Sequence, residues 1–285
     1  MPQAIRGFDR PSEITYVDEM DPWWRRWIIF LLEVVTGQPR IQRLYNQIQS
    51  MDIVPVEVWG KALELLEVNV DYDQTQLEKI PDDGPLVFIA NHPFGVLDGL
   101  ILGYLTGLVR QEYVFLVNEV LVRQDPRLKQ FLLPITFQET KAAMRINIQT
   151  RQEAVKRLLS GEALVIFPAG GVATAEKGWG PAVDLEWKRF TAKVIQQSKA
   201  TVVPIYFHGQ NSRIFQLVSQ WSPTLRLGLL VHELRNKIGK TFRIEIGDPI
   251  TYESLAEIKD RQALIDHLRD QTFALKPTSK KRRPS

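Results

Sequence analysis

The chain has 285 residues, of which 44% are hydrophobic and 24% are charged, and 36 basic against 33 acidic side chains give a net charge of +3. This length suffices for one large α/β domain or two small ones. The absence of cysteine excludes disulfides, thiolate nucleophiles and zinc–thiolate sites, and no two of the four histidines are spaced as a metal pair on one helix face. We therefore expect no metal and no bound cofactor.

The N-terminal segment is predicted to lie at a membrane surface. No stretch reaches the roughly 20 apolar residues that cross a bilayer. Residues 27–32 are apolar, but Glu33 ends the run, and no signal-peptide cleavage site follows, so we expect a cytoplasmic protein. Asp21 and Pro22 open a helix whose aromatic and basic residues suit lipid headgroups, with packing of its tryptophans on the domain as the alternative. These residues are Trp23, Trp24, Arg25, Arg26 and Trp27.

Helices around residues 39–50 and 55–67 would complete an N-terminal helical cap within residues 1–75. Residues 76–275 then alternate between apolar strand-like runs and helical patterns. The candidate strands are 86–90, 113–117, 163–167, 201–207 and 241–247, and the candidate helices are 98–109, 149–160, 184–198 and 256–273. This alternation predicts an α/β fold with a mostly parallel central sheet flanked by helices. The basic tail, residues 276–285, is predicted to be disordered.

The first predicted strand ends in the most informative segment of the chain. Asn91 and His92 follow the strand directly, and Asp98 comes within one short loop. Open α/β sheets build their sites at the carboxyl ends of strands. A histidine held by a carboxylate can take a proton from a hydroxyl group at neutral pH. The alternative is a histidine whose hydrogen bond goes to a neighbouring backbone group.

Two further strands end in unusual loops. Residues 163–167 lead into Pro168, Ala169, Gly170 and Gly171, and residues 201–207 lead into a polar loop that contains Asn211. If the sheet is parallel, these loops emerge at the same edge as His92 and can build one pocket. The Pro-Ala-Gly-Gly turn leaves bare backbone N–H groups for an anion or an oxyanion, although many such turns are only structural.

A cationic segment separates two of the apolar elements. Residues 139–148 are predicted to form a polar loop that carries Arg145. The planar fork of an arginine can clamp a phosphate group, while a solvated or salt-bridged surface position is the alternative.

These residues together resemble the four sequence blocks of the glycerolipid acyltransferases of the lysophosphatidic acid type. The blocks are His92 with Asp98, Arg145, Phe167-Pro168 with Gly170, and Val203-Pro204-Ile205. The chain also resembles the bacterial hemolysin-like branch, relatives of lyso-ornithine-lipid acyltransferases, in the segments around Asn91, Ala169 and Asn211. The resemblance covers about residues 80–275 and implies a glycerol-3-phosphate acyltransferase-like fold.

The resemblance also implies a reaction and a set of site residues. His92 would take the proton from the hydroxyl of a lyso-lipid, and Asp98 would orient the imidazole. The hydroxyl would attack the thioester of acyl-CoA or acyl carrier protein, and amides near Gly170 and Gly171 would steady the oxyanion. The residues expected to bind substrate are Asn91, Arg145, Phe167, Pro168, Gly170, Gly171, Pro204 and Asn211.

The sequence departs from the family pattern at two points. Five residues separate His92 from Asp98, one more than in the wider family. Ala169 stands in the place of a third-block glutamate, and Gly171 stands where the hemolysin-like branch often has one. A degenerate, non-catalytic lipid-binding or membrane-active protein is therefore the alternative function.

Two other classes of function fit the sequence poorly. A serine hydrolase needs a Gly-x-Ser-x-Gly elbow, which does not occur here. A nucleic-acid partner is not expected, because the basic residues cluster at the C-terminus and no recognition motif accompanies them. The expected partners are membrane lipids and the acyl donor, with the protein peripheral on the inner face of the membrane.

Overall fold

A computed structural model of the chain describes residues 38–118, 130–136, 140–176, 178–220 and 223–277. The helix predicted to open at Asp21 and nearly all of the basic tail lie outside these residues. The helices are α1 (Gln38–Gln49), α2 (Val58–Leu65), α3 (Gln74–Leu77), α4 (Val96–Val109), α5 (Lys141–Leu159), α6 (Arg189–Ser198), α7 (Arg213–Val218), α8 (Pro223–Arg235), α9 (Tyr252–Leu255) and α10 (Arg261–Ala274). The strands are β1 (Asn69–Asp71), β2 (Leu86–Ala90), β3 (Tyr113–Asn118), β4 (Leu132–Ile135), β5 (Ala163–Ile166), β6 (Thr201–Phe207) and β7 (Thr241–Ile246).

The seven strands form one sheet in the order β1-β7-β6-β2-β5-β3-β4. All neighbouring strands are parallel except β6 and β7, which are antiparallel. The prediction of a mostly parallel sheet flanked by helices is therefore confirmed. Strand β2 lies between β5 and β6, so the loops that follow these three strands emerge side by side at one edge of the sheet.

Apolar layers cover both faces of the sheet. Every residue of β2 is fully buried, and its side chains alternate between the two layers. On one face, Phe88 packs in a layer that includes α4 and Trp59 of α2. On the other face, Val87 and Ile89 pack against residues of α5, α6 and α10. A strand covered on both sides needs a continuous apolar sequence, which explains why this strand was readily predicted.

Several local predictions differ from the structure. The segment 139–148 is largely not a loop, because α5 begins at Lys141, where the Thr140 side chain accepts a hydrogen bond from the Ala143 amide at 3.1 Å. The helix predicted from residue 184 begins only at Arg189, and the helix predicted from residue 256 begins only at Arg261. Strands β1 and β4 were not predicted, because each has at most four residues and β4 contains Pro134, which an edge strand tolerates.

A bilayer-crossing helix must be both long and apolar, and none of the helices within the described ranges meets both conditions.

Candidate active site

His92 and Asp98 meet at the carboxyl end of β2. The Nδ1 atom of His92 lies 2.9 Å from Oδ2 of Asp98, which confirms the expected contact. Asp98 is fully buried in the first turn of α4, whereas 16% of the His92 side chain is exposed. The pair therefore presents its imidazole, and not its carboxylate, to a substrate.

The Asp98 carboxylate is held by the backbone of its own loop. Its Oδ2 atom accepts hydrogen bonds from the amides of Phe94 at 2.8 Å and Gly95 at 2.9 Å, in addition to the contact with His92. A carboxylate oxygen can only accept a hydrogen bond, so the contact with Asp98 requires a hydrogen on Nδ1 of His92. In a neutral imidazole, which carries one such hydrogen, Nδ1 is therefore the donor. The Nε2 atom of His92 is then the unprotonated nitrogen, ready to take a proton.

Gly95 accommodates the additional residue between His92 and Asp98. Its φ angle is +84°, which favours glycine. A Cβ atom at this position would lie 3.0 Å from Leu230 and 3.1 Å from Val172, so the loop is also closely packed. Because α4 begins directly after this glycine, the turn brings Asp98 back to the histidine.

Further contacts fix the position of His92. Its ring stacks on Phe167, with ring centroids 4.0 Å apart. Its amide donates to Oδ1 of Asp184 at 3.1 Å, and its carbonyl accepts from the Ala173 amide at 2.7 Å. The other oxygen of Asp184 accepts from Nε1 of Trp187 at 3.0 Å. Burial raises the pKa of Asp184, and these hydrogen bonds oppose that shift.

The Pro-Ala-Gly-Gly turn lies beside the histidine, but one of its amides is already used. The Gly170 amide donates to the Phe167 carbonyl at 2.9 Å, with a φ angle of +68° at Gly170. This amide is therefore not free to bind an oxyanion, and the role predicted for the turn stays a prediction for Gly171. The Pro168 carbonyl accepts from the Lys188 amide at 2.9 Å, which anchors the turn.

Three of the predicted substrate-binding residues make supporting contacts within the protein. Asn91 joins β2 to β6, because its side chain accepts from the Phe207 amide at 2.7 Å and donates to the Phe207 carbonyl at 3.0 Å. Pro204 lies within β6, where its carbonyl accepts from the Gly247 amide. Asn211 is buried and donates weakly to the Phe94 carbonyl at 3.5 Å. Substrate contact by these three residues stays a prediction.

A buried ion pair lies behind the loop between His92 and Asp98. Lys237 donates to Oδ1 of Asn211 at 2.6 Å and to Oε2 of Glu233 at 3.1 Å, and its ammonium lies 5.1 Å from the Phe94 ring centroid. Burial lowers the pKa of Lys237, although Glu233 opposes the shift. Burial would raise the pKa of Glu233, but hydrogen bonds from Ser212 and the charge of Lys237 hold it below its ordinary value. The network supports the loop that carries Asp98.

Arg145 is not among the residues that contact this loop in the described part of the chain. It is exposed near the start of α5, which follows the edge strand β4. Two strands, β3 and β5, separate β4 from β2. Sequence reasoning instead missed Asp184, Trp187 and Lys237, and the only signal for the first two was their place just after the glycine-rich turn.

The chain is similar to several known proteins. A family model described as "Acyltransferase" matches residues 51–281. The lyso-glycine lipid O-acyltransferase of Bacteroides thetaiotaomicron is 26% identical over 88% of this chain and 90% of its own length, and that of Phocaeicola vulgatus is 28% identical over 88% of each. Among solved structures, the 1-acyl-sn-glycerophosphate (LPA) acyltransferase PlsC of Thermotoga maritima is 15% identical with a TM-score of 0.48, covering 90% of this chain and 100% of its own.

The family match extends from the N-terminal helices to the end of the domain and so includes the whole sheet and both partners of the histidine–aspartate pair. Both relatives align over nearly their full length. The chain therefore belongs to this acyltransferase family and is an O-acyltransferase.

Proposed function

We propose that the protein transfers a fatty acyl chain from a thioester donor, acyl-CoA or acyl carrier protein, to the hydroxyl group of a lyso-lipid. The observation that carries the proposal is the 2.9 Å contact between His92 and Asp98, with the carboxylate buried and the imidazole partly exposed. This arrangement supplies a general base for a hydroxyl group, which is the group that an O-acyltransferase must activate.

The proposed reaction relays one proton through His92 and replaces the C–S bond of the thioester with the C–O bond of an ester. The acceptor hydroxyl gives its proton to Nε2 of His92 while its oxygen bonds to the thioester carbonyl carbon. Asp98 stabilises the resulting imidazolium through the hydrogen bond to Nδ1. The tetrahedral intermediate then expels the thiolate, which takes the proton from the imidazolium. An ester and a free thiol result, and no covalent acyl-enzyme forms.

The acceptor that we favour is a lyso-glycine lipid or a similar amino-acid lyso-lipid. Two relatives that are lyso-glycine lipid O-acyltransferases support this choice. Lysophosphatidic acid is the second candidate, because the four sequence blocks resemble those of enzymes that acylate it.

We further propose that the edge of the sheet that carries His92 faces a membrane. Large apolar side chains are exposed beyond this edge: 65% of Trp179, in the segment between β5 and α6, and 59% of Ile214, in α7, are accessible. The Arg213 guanidinium lies 5.7 Å from the centre of the Trp179 ring, so a cation accompanies this tryptophan. An aromatic ring beside a cation suits the headgroup region of a bilayer. Trp23, Trp24 and Trp27, which the sequence predicts to lie at a membrane surface, would add to this contact.

A reconstituted assay tests the function directly. The full chain is mixed with vesicles that contain lyso-glycine lipid or lysophosphatidic acid, and with a labelled acyl-CoA or acyl carrier protein. We expect a labelled diacylated lipid from at least one acceptor and far less from a His92→Ala variant. Folded protein that acylates neither acceptor with either donor would support the non-catalytic alternative.

A further inference from the structure

A partly buried arginine lies next to the catalytic loop. Arg226, near the start of α8, donates from Nη2 to the Val172 carbonyl at 2.6 Å. The amide nitrogen of the same peptide unit belongs to Ala173 and donates to the His92 carbonyl at 2.7 Å. A single peptide unit therefore separates the guanidinium from the main chain of the catalytic histidine.

Within the described ranges, no carboxylate forms an ion pair with Arg226. Two other partly buried arginines have such a partner: Arg157 contacts Glu153 at 3.1 Å, and Arg243 contacts Glu245 at 2.7 Å. The buried Arg110 has no such partner in the described ranges, but its guanidinium donates to four backbone carbonyls instead. Burial lowers the pKa of Arg226, and no acidic group among the described residues opposes the shift. A guanidinium has five N–H donors, so one carbonyl leaves most of them unused. Burial of such a cation costs free energy that a bound anion can offset.

Gly171 lies next to this guanidinium. A Cβ atom at Gly171 would lie 3.8 Å from Nη2 of Arg226, an ordinary van der Waals distance, so residue 171 places no side chain against the cation. The same Cβ would lie 3.1 Å from Leu185, whose side chain is 44% exposed. A charged group and an exposed apolar group therefore border Gly171 together, as the headgroup and chain of a lipid would require.

We propose that Arg226 binds the anionic headgroup of the acceptor lipid, a carboxylate or a phosphate, and so directs the acceptor hydroxyl toward His92. The inference rests on the proposed function and deepens it. The planar fork of arginine pairs with either oxyanion through two parallel hydrogen bonds. The acceptor suits the position better than the donor, because the phosphates of CoA lie at the far end of the long pantetheine arm from the thioester.

Steady-state kinetics of three variants test this role. Arg226→Gln removes the charge, Arg226→Lys keeps the charge without the fork, and Arg235→Gln is the matched control at the exposed end of the same helix. The acceptors are lyso-glycine lipid, its uncharged methyl ester and lysophosphatidic acid. Arg226→Gln should raise the KM for the preferred anionic acceptor by about 10–100-fold. The KM for the methyl ester and for the donor should not change, Arg226→Lys should be intermediate, and Arg235→Gln should match the wild type.

Several outcomes would overturn the inference. An equal loss with charged and uncharged acceptors, together with a lower Tm, would assign Arg226 to support of the Val172 carbonyl. A rise confined to the KM for the donor would place the donor there, and unchanged kinetics would exclude any role in binding. If the wild-type protein acylates no lyso-lipid, the proposed function fails first, and this result is distinct from each of the others.

Discussion

In the described part of the chain, two histidine–carboxylate pairs lie near the same edge of the sheet, and they are not equivalent. His92 lies 2.9 Å from Asp98, and His208, which follows β6, lies 3.3 Å from Glu245 of β7. Asp98 is fully buried and receives its other two hydrogen bonds from backbone amides. Glu245 is 17% exposed and receives its other hydrogen bond from Arg243 at 2.7 Å.

The difference shows that the other partners of the carboxylate decide what such a pair can do. Asp98 has a fixed position and no arginine or lysine bonded to it within the described residues, so its charge is available to an imidazolium. Glu245 already neutralises Arg243. Burial lowers the pKa of His208, Glu245 opposes this shift, and the charges of Arg243 and Lys276 add to it. The second pair is therefore not arranged to stabilise a protonated histidine during a reaction.

The largest expected effect on activity distinguishes His92 from His208. His92→Ala should lower kcat by about 10²–10⁴-fold, the usual contribution of a general base. His208→Ala, the matched control, should keep activity near that of the wild type. Acyl transfer to a lyso-lipid measures both, and thermal melts confirm that each variant is folded. Equal losses in the two variants would remove the distinction between the pairs.

Removal of the negative charge of Asp98 should have the second-largest effect on kcat. In Asp98→Asn the amide oxygen can still accept from Phe94, Gly95 and His92, but the negative charge that stabilises the imidazolium is lost. We expect kcat to fall by about 10²-fold or more, with little change in KM for either substrate. Glu245→Gln should leave kcat nearly unchanged. A full-activity Asp98→Asn variant would show that orientation alone is required.

The geometry of the first pair can be disturbed through Gly95. Gly95→Ala forces a side chain into a positive φ angle and against Leu230 and Val172, so it should destabilise the protein by about 1–3 kcal/mol. Gly99→Ala is the matched control, because Gly99 lies in α4 with open space at its Cβ position. It should stabilise the protein by about 0.5–1 kcal/mol. Denaturant unfolding measures both, and equal effects would contradict the packing described here.

The smallest expected effect concerns pH. Because the pKa of His208 is lower in the folded protein, the unfolded chain binds a proton more readily, and stability should fall as pH drops below the usual value of about 6.5. His208→Gln should lose less stability than the wild type between pH 7 and pH 5. Thermal melts across this range test the sign, and a larger loss in the variant would contradict it.

The central strands and the catalytic pair could be predicted from the sequence because their signals are local. Strand β2 is buried on both faces and is therefore a continuous apolar run, and Asp98 lies only six positions after His92. The spacing alone did not indicate that Gly95 would bring the two together.

The remainder of the site depends on contacts between distant positions. Asp184 lies 92 positions after His92, and residue 184 was predicted to begin a helix because the pattern from 184 to 198 is helical over most of its length. Arg226 and Lys237 lie in or just after α8, a helix that the sequence reading did not predict. A basic residue in an amphipathic pattern is normally predicted to lie on the surface. The burial of Arg226 and Lys237 is therefore evident only in the tertiary structure.

The hydrogen bonds between Asn91 and Phe207 determine when the site can form during synthesis of the chain. The two residues are 116 positions apart, and the contact from Asn211 to Phe94 spans 117. A nascent chain that has passed Asp98 already contains both members of the catalytic pair, but the groups that hold their loop have not yet been made. Contacts of such long range also require the closure of a long loop, which slows folding. The polypeptide therefore carries His92 and Asp98 through the synthesis of more than a hundred further residues before it acquires a working site. A chain interrupted in that interval lacks the groups that hold the loop and should not acylate a lipid.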